Sequence, residues 1–163
     1  NNTTLNASLV SENGKAGLYL FGQNRHRSGF DQDGDGFTEL PKLKNQTVGF
    51  RSYLKTSTYS KLTFEYHHMN EYRRGGNLLD RPPHEADIAE QLEHSIDGGG
   101  LKFDLFSKDY KHKWSVFTSA QNTDRDSYYG TNQDPNAYGK TTDLTVMAGT
   151  QYAYSFDKFL FIS

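Results

Sequence analysis

The chain contains no cysteine, which removes a disulfide framework, a thiolate metal site and a Cys nucleophile at once. Long apolar runs are also missing. The longest, Ala16–Gly22, is interrupted by glycine and falls far short of the roughly 18 residues of a transmembrane helix. No basic segment followed by an apolar stretch opens the sequence, so no signal peptide is expected within it. Charge of one sign is lacking too. With 18 basic and 20 acidic residues the net charge is −2, so no global field selects nucleic acid as a partner. Hydrophobic residues make up only 34%, against about 45–50% apolar in an ordinary soluble domain. None of these absences excludes a β-barrel, whose strands cross a membrane with about 9–11 alternating residues each.

Aromatic residues are plentiful, at 14% of the chain with only 4 prolines. That composition argues against disorder and for extended structure. Alternation is the dominant pattern. Val48, Phe50 and Leu54 oppose Gly49, Arg51, Tyr53 and Lys55, and Leu62, Phe64 and Tyr66 oppose Thr63, Glu65 and His67. Leu101, Phe103 and Leu105 alternate with Lys102 and Asp104, as Trp114, Val116 and Ala120 do with Ser115, Ser119 and Gln121. Leu144, Val146, Ala148, Tyr152 and Tyr154 continue the rhythm, and Leu5–Val10 and Ala16–Gln23 read as two further strands. Successive side chains of a strand point to opposite faces, so each segment has one apolar and one polar face. Seven strands follow, with an eighth starting at Phe159.

The connections alternate as well. Glu12–Lys15, Thr56–Ser60, Lys108–Lys111 and Asp157–Lys158 are short, the first carrying an Asn-Gly pair suited to a tight hairpin turn. His26–Lys42, Arg73–Glu90 and Asp124–Thr141 are long. An antiparallel meander built this way has its long loops at one end, the asymmetry of outer-membrane barrels with short periplasmic turns and long extracellular loops. Trp114, Tyr152, Tyr154 and Phe159 would then gather near the periplasmic interface, which such rings favour. The chain stops a few residues into its last strand, too few to close a barrel at full height. It therefore reads as an excerpt, about a third, of a longer barrel.

Chemistry is sought in the long loops. Asp31, Asp33 and Asp35 with Gly36 match the first half of a calcium loop, with the Phe37 carbonyl and Glu39 at later ligand positions. Lys42 stands where a bidentate Glu belongs, so a second loop would complete the site through Asp80, Glu85 or Asp87. The bland reading is a solvated acidic turn. The second loop suggests a short helix opening at Pro83, with Ile88 and Leu92 as its apolar stripe. Arg73, Arg74 and Asn77 in that loop, and Tyr128, Tyr129 and Asn132 in the third, are candidate contacts for a polar ligand. No nucleophile sits with a base, no glycine loop cradles phosphate and no carboxylate pair faces a cleft, so no enzymatic activity is expected.

The stretches Gly29–Glu39, Arg74–Asn77 and, above all, Pro82-Pro83-His84-Glu85-Ala86-Asp87 through Gln91 resemble the barrel region of TonB-dependent outer-membrane receptors of Bacteroidetes-type bacteria. The resemblance implies an outer-membrane location in a Gram-negative cell and a 22-stranded barrel closed by a plug, the plug lying outside this sequence. It implies import of a scarce nutrient such as cobalamin or a ferric chelate, energised by a TonB complex that contacts the plug. The Asp31–Asp35 loop is similar to the calcium-binding loop of cobalamin receptors, where the ion orders loops over the ligand. Two alternatives stay open: a complete small outer-membrane barrel acting in adhesion or structure, and a soluble calcium-dependent carbohydrate-binding module.

Overall fold

The structure is a computed structural model that describes residues 1–156 and 160–162. Eight strands lie in one open antiparallel sheet in chain order: β1 (Asn2–Val10), β2 (Ala16–Arg27), β3 (Thr38–Ser57), β4 (Ser60–Gly76), β5 (Ile88–Phe106), β6 (His112–Thr131), β7 (Tyr138–Ser155) and β8 (Leu160–Ile162). The meander expected from alternation is the architecture found. The expected Asp157–Lys158 turn and the strand start at Phe159 lie outside the described residues.

Strands β3 to β7 run to between 17 and 20 residues, much longer than the alternating segments alone suggest. The long connections shrink accordingly to 28–37, 77–87 and 132–137. Arg73 and Arg74 belong to β4, and Tyr128 and Tyr129 to β6, rather than to loops. In these outer portions both faces are polar, so period two leaves no trace in hydropathy. Ladder hydrogen bonds hold the strands together there. The expected helix is likewise replaced: Pro83–Glu85 forms a 3-10 turn and Ile88 and Leu92 lie extended in β5. Proline suits the start of either element. At the first turn only Gly14 takes a positive φ, 61°, and Asn13 Oδ1 accepts from the Lys15 amide at 3.0 Å, so residues 11–15 form a longer connection than a two-residue hairpin turn.

The cross-strand register sorts the side chains into rows. One face carries Leu5, Leu20, Val48, Phe64, Leu101, Phe103, Trp114, Val116 and Val146, all exposed. This apolar face ends along one hydrogen-bonded row: Gly22, Val48, His68, Asp97, Asn122 and Leu144. Beyond it, toward the long connections, the next two rows on the same face are polar apart from the Tyr72 ring. At the opposite margin the strand ends step outward. Ala16 and Leu54 share a row, Ser60, Leu105 and Trp114 lie one side-chain row further out, and His112 with Tyr154 a row beyond that. Tilted strands of a closing sheet have this stagger. There His112, Trp114, Tyr152 and Tyr154 form one ring cluster, Trp114 and Tyr152 with centroids 5.4 Å apart.

The other face is polar and carries ion pairs, including Arg51–Glu65 at 2.6 Å and Lys102 and Lys113 on the buried Asp104 carboxylate at 3.5 and 3.3 Å. It also carries a recurring device in which a ring lies directly opposite a glycine: Tyr53 on Gly17, Phe21 on Gly49, His67 on Gly98 and Phe117 on Gly149. A Cβ on Gly49 would sit 2.5 Å from Phe21 Cζ, and one on Gly149 2.6 Å from Phe117 Cζ. The rings lie flat over backbone that glycine leaves bare. No conventional core exists among the described residues. Among the described residues the buried hydrophobics are Leu43, Ala86, Ala89 and Tyr128, all toward the loop end.

Candidate functional site

Three features share the loop end of the sheet. The first is the acidic loop between β2 and β3. Gly34 and Gly36 adopt φ of 78° and 89° with no atom near a would-be Cβ, so backbone angle alone requires glycine there. Those angles fold the loop around its own carboxylates. Asp31 Oδ1 accepts from the Gly34 amide at 2.7 Å and Oδ2 from Gly36 at 2.9 Å, Asp35 Oδ1 accepts from Phe37 at 2.8 Å, and Glu39 Oε2 accepts from Gln32 at 2.7 Å. Carboxylate oxygens of Asp31, Asp33, Asp35 and Glu39 all lie within 4.8 Å of one another. Two oxygens sharing one calcium at about 2.4 Å can be no more than about 4.8 Å apart, so these carboxylates are close enough to share a single cation. Hard oxygen ligands without His or Cys are the chemistry calcium takes. Phe37 follows in chain with its side chain half-buried. The second loop adds no carboxylate: Asp80, Glu85 and Asp87 stand apart from the cluster, and Asp87 Oδ2 accepts from Asn77 Nδ2 at 2.8 Å.

The second feature is a knot that joins the other two loops. Asn77 Oδ1 accepts from the amides of Asp87 and Ile88 at 3.0 and 3.3 Å, closing residues 77–87 into a loop with a narrow neck. Arg74 lies beneath it at 0% exposure. Its guanidinium donates to the carbonyls of Gly75 and Asn77, and Nε has no partner among the described residues. Burial holds the group below its ordinary pKa, opposed by Tyr72, Tyr128 and Tyr138. Tyr128 is buried against Ala86 and Ala89 and donates to the Asp134 carbonyl at 2.9 Å. His84 Nδ1 meets Tyr138 Oη at 2.7 Å, fastening the 3-10 turn to β7, and the Asn132 amide donates to the Asp87 carbonyl at 2.8 Å. Arg74, Asn77 and Tyr128, expected as ligand contacts, are thus turned inward and hold loops together. Arg73, on the opposite face, pairs with Glu71 at 2.8 Å while half-exposed. Tyr129 and Asn132 are exposed, so these three remain presented, on separate elements.

No protein family, curated protein or solved structure matches the chain. Its function is therefore argued from its own residues.

The third feature escaped sequence reasoning. On the apolar face, immediately past the border row, lie Asn24, Gln46, Asn70, Ser95, Asp124 and Thr142. The next row is His26, Lys44, Tyr72, Glu93, Asp126 and Lys140. Between β2 and β6 these rows line a cleft of about 660 Å³. Arg25, His26 and Lys44 line it from β2 and β3, and Glu71, Glu93, His94, Asp124 and Asp126 from β4, β5 and β6. The residues are spread over a hundred positions of sequence, and only the register aligns them. Once the strands are extended to their full length, alternation from Val48 through Gln46 to Lys44, and from Ala120 through Asn122 to Asp124, would have placed them on one face.

Proposed function

We propose that the chain is part of the wall of an outer-membrane β-barrel and, following its sequence resemblance, of a TonB-dependent receptor that imports a scarce nutrient. The observation that carries this reading is the exposed apolar face ending on a single row across β2 to β7. Water gives no reason for an apolar face so wide to have a straight border, and a soluble chain exposing it would aggregate. A lipid phase accounts for both the exposure and the border. The near absence of a buried hydrophobic core then follows, because the apolar side chains are solvated by lipid. The ring cluster at His112, Trp114, Tyr152 and Tyr154 falls at the depth of an aromatic girdle, and the ion-paired opposite face lines the barrel interior.

Strands that run well past the apolar border raise the loop end above the membrane, where a small-molecule nutrient arrives. There calcium held by Asp31, Asp33, Asp35, Glu39 and the Phe37 carbonyl neutralises the loop and orders it, and Arg73, Tyr129 and Asn132 stay available for contact. An ordered loop loses less entropy when ligand binds, so affinity rises.

The membrane claim is directly testable with Cys variants labelled at chosen positions of this chain, which itself contains no cysteine. Fluorophores at 114, 116, 118 and 120 of β6 are expected to be quenched by brominated lipid, and those at 115, 117, 119 and 121 to be spared. Uniform quenching along β6 would overturn the barrel reading. For the receptor claim, cells expressing the intact protein should bind labelled cobalamin or a ferric chelate, more tightly with calcium than with chelator and less tightly after Asp33→Ala. Absence of binding to either class would leave a barrel that is no such receptor.

A further inference from the structure

The turn end of the sheet holds a concavity that neither the apolar face nor the loop end uses. It lies where the β1–β2, β3–β4 and β5–β6 connections meet and measures about 730 Å³, within the usual range for a small-molecule site. Lys15, Lys55 and Lys61 stand in its wall beside the rings of Phe106 and Tyr110, and no aspartate or glutamate among the described residues lines it. We propose that this concavity binds a soluble phosphate monoester, the lysines and one hydroxyl taking the phosphate and the rings its organic part.

Charge selects an anion. The Lys55 amide donates to the Lys15 carbonyl at 2.7 Å, so these two side chains start from neighbouring positions on adjacent segments, and Lys61 follows just past the next turn, on β4. Like charges gathered this way are unfavourable without a counter-charge, and the nearby acids are already committed. Asp104, opposite Lys61 in the ladder, is buried and takes Lys102 and Lys113 at 3.5 and 3.3 Å and the Ser115 hydroxyl at 2.6 Å. Asp109 accepts from the Ser107 hydroxyl and the Lys111 amide, and Glu12 is exposed outside the wall. Lys15, Lys55 and Lys61 enter no ion pair among the described residues. A phosphate monoester brings a charge of about −1.5 to −2 near pH 7 on three strong acceptor oxygens.

A neutral donor comes from the hydroxyls in the same wall. Ser60 is only 8% exposed, and its Oγ lies 2.7 Å from both Thr56 Oγ1 and Ser57 Oγ. Ser57 Oγ also accepts from the Tyr59 amide at 3.1 Å. Three hydroxyls carry three protons and the two bonds among them use two, so whichever way those bonds run one proton is left for an outside acceptor. The frame is fixed beforehand. Tyr110 Oη donates to the Thr58 carbonyl at 3.1 Å and the Phe106 amide to the Tyr59 carbonyl at 2.7 Å, tying the β3–β4 and β5–β6 turns together. The Phe106 and Tyr110 centroids stand 6.0 Å apart, and the exposed Tyr110 ring offers apolar surface to the organic group of an ester. Lys61 belongs to the polar face, in register with Asp104, which favours a soluble ester over a lipid headgroup.

The test is titration calorimetry of the intact protein in detergent micelles, with phenyl phosphate as the probe. One saturable site is expected, with phenyl phosphate held about tenfold more tightly than the singly charged phenyl sulfate. Lys55→Ser and Lys61→Ser should each weaken phenyl phosphate about tenfold, the loss of one charge-assisted contact. Lys140→Ser, at the loop end, should change nothing. Lys55 is exposed, so its variant decides the matter even where Lys61→Ser fails to fold. Absence of saturable binding, equal affinity for phenyl sulfate, or unchanged affinity in Lys55→Ser would each overturn the site. Inorganic phosphate binding as tightly as phenyl phosphate would overturn the ester and its ring contact. Phosphatidic acid in the micelle displacing the probe at equal concentration would overturn the soluble ligand in favour of a lipid.

Discussion

Leu101 sits on the apolar face of β5, opposite Phe64 on β4 and Thr118 on β6 and midway between the border row and the turn end. It is 44% exposed, so replacing it with arginine removes little packing. If the face meets water, Leu101→Arg is an ordinary surface change worth within about 0.5 kcal/mol either way. If the face meets lipid, an arginine at mid-height costs about 2–4 kcal/mol, or roughly 30- to 1000-fold in the folding equilibrium. Asn70→Arg supplies the matched control. It lies on the same face of the neighbouring strand, exposed, one row past the border, where arginine costs about 0–1 kcal/mol. The assay is urea unfolding of the intact protein in vesicles, followed by the loss of β-sheet circular dichroism. Leu101→Arg should lower the unfolding free energy by at least 2 kcal/mol more than Asn70→Arg does, to the order of magnitude such depth series allow. Indistinguishable variants would refute the lipid-facing assignment.

Gly149→Ala would place a Cβ 2.6 Å from Phe117 Cζ, forcing the ring off the strand at about 1–3 kcal/mol. Adding Phe117→Ala should recover part of that loss, and strict additivity in the double-mutant cycle would count against the ring-over-glycine contact. Asn77→Ala strips partners from the amides of Asp87 and Ile88, a loss of about 1–3 kcal/mol. Limited proteolysis should then cut within 78–87 faster while the sheet itself stays intact. Asp109, in the turn between β5 and β6, has its carboxyl held below the usual range by Ser107 Oγ and the Lys111 amide. Its folded pKa is depressed, so its contribution is present above the ordinary carboxylate value near pH 4 and is lost as pH falls through the lowered value. Amide exchange at Lys111 should quicken only in that acidic window, and unchanged exchange there would remove Asp109 from the turn's support.

The sequence made the meander legible wherever one face was apolar: Val48–Leu54, Leu62–Tyr66 and Leu101–Leu105 all lie in strands of the expected sense. It lost the strands where both faces turn polar, because Thr38–Lys42, Arg73–Gly76 and Asp124–Thr131 carry no clear hydropathic period and read as loop. That one blind spot explains most differences at the candidate site. Arg74 and Tyr128 looked like loop contacts because the strands holding them were invisible, and the outer cleft was hidden because its residues meet only through register. The acidic loop was legible for the opposite reason. Its carboxylates lie within nine consecutive positions, Asp31–Glu39, so local geometry alone gathers them, while Asp80, Glu85 and Asp87 of the second loop lie outside that cluster.

The glycine-and-ring pairs have a consequence for how the sheet finds its alignment. Alternation of apolar and polar residues penalises a slip of one residue, which would turn every side chain to the wrong face, but it tolerates a slip of two. A two-residue slip of β2 against β3 would move Phe21 from Gly49 onto Thr47 or Arg51, and the same slip of β6 against β7 would set Phe117 over Met147 or Gln151. Each alternative has a side chain where the ring must lie. The pairs thus resolve an ambiguity that hydropathy leaves at every even offset, and they act between strands as a vernier on a coarse scale. In related chains, glycine and ring should exchange places across a ladder together or not at all.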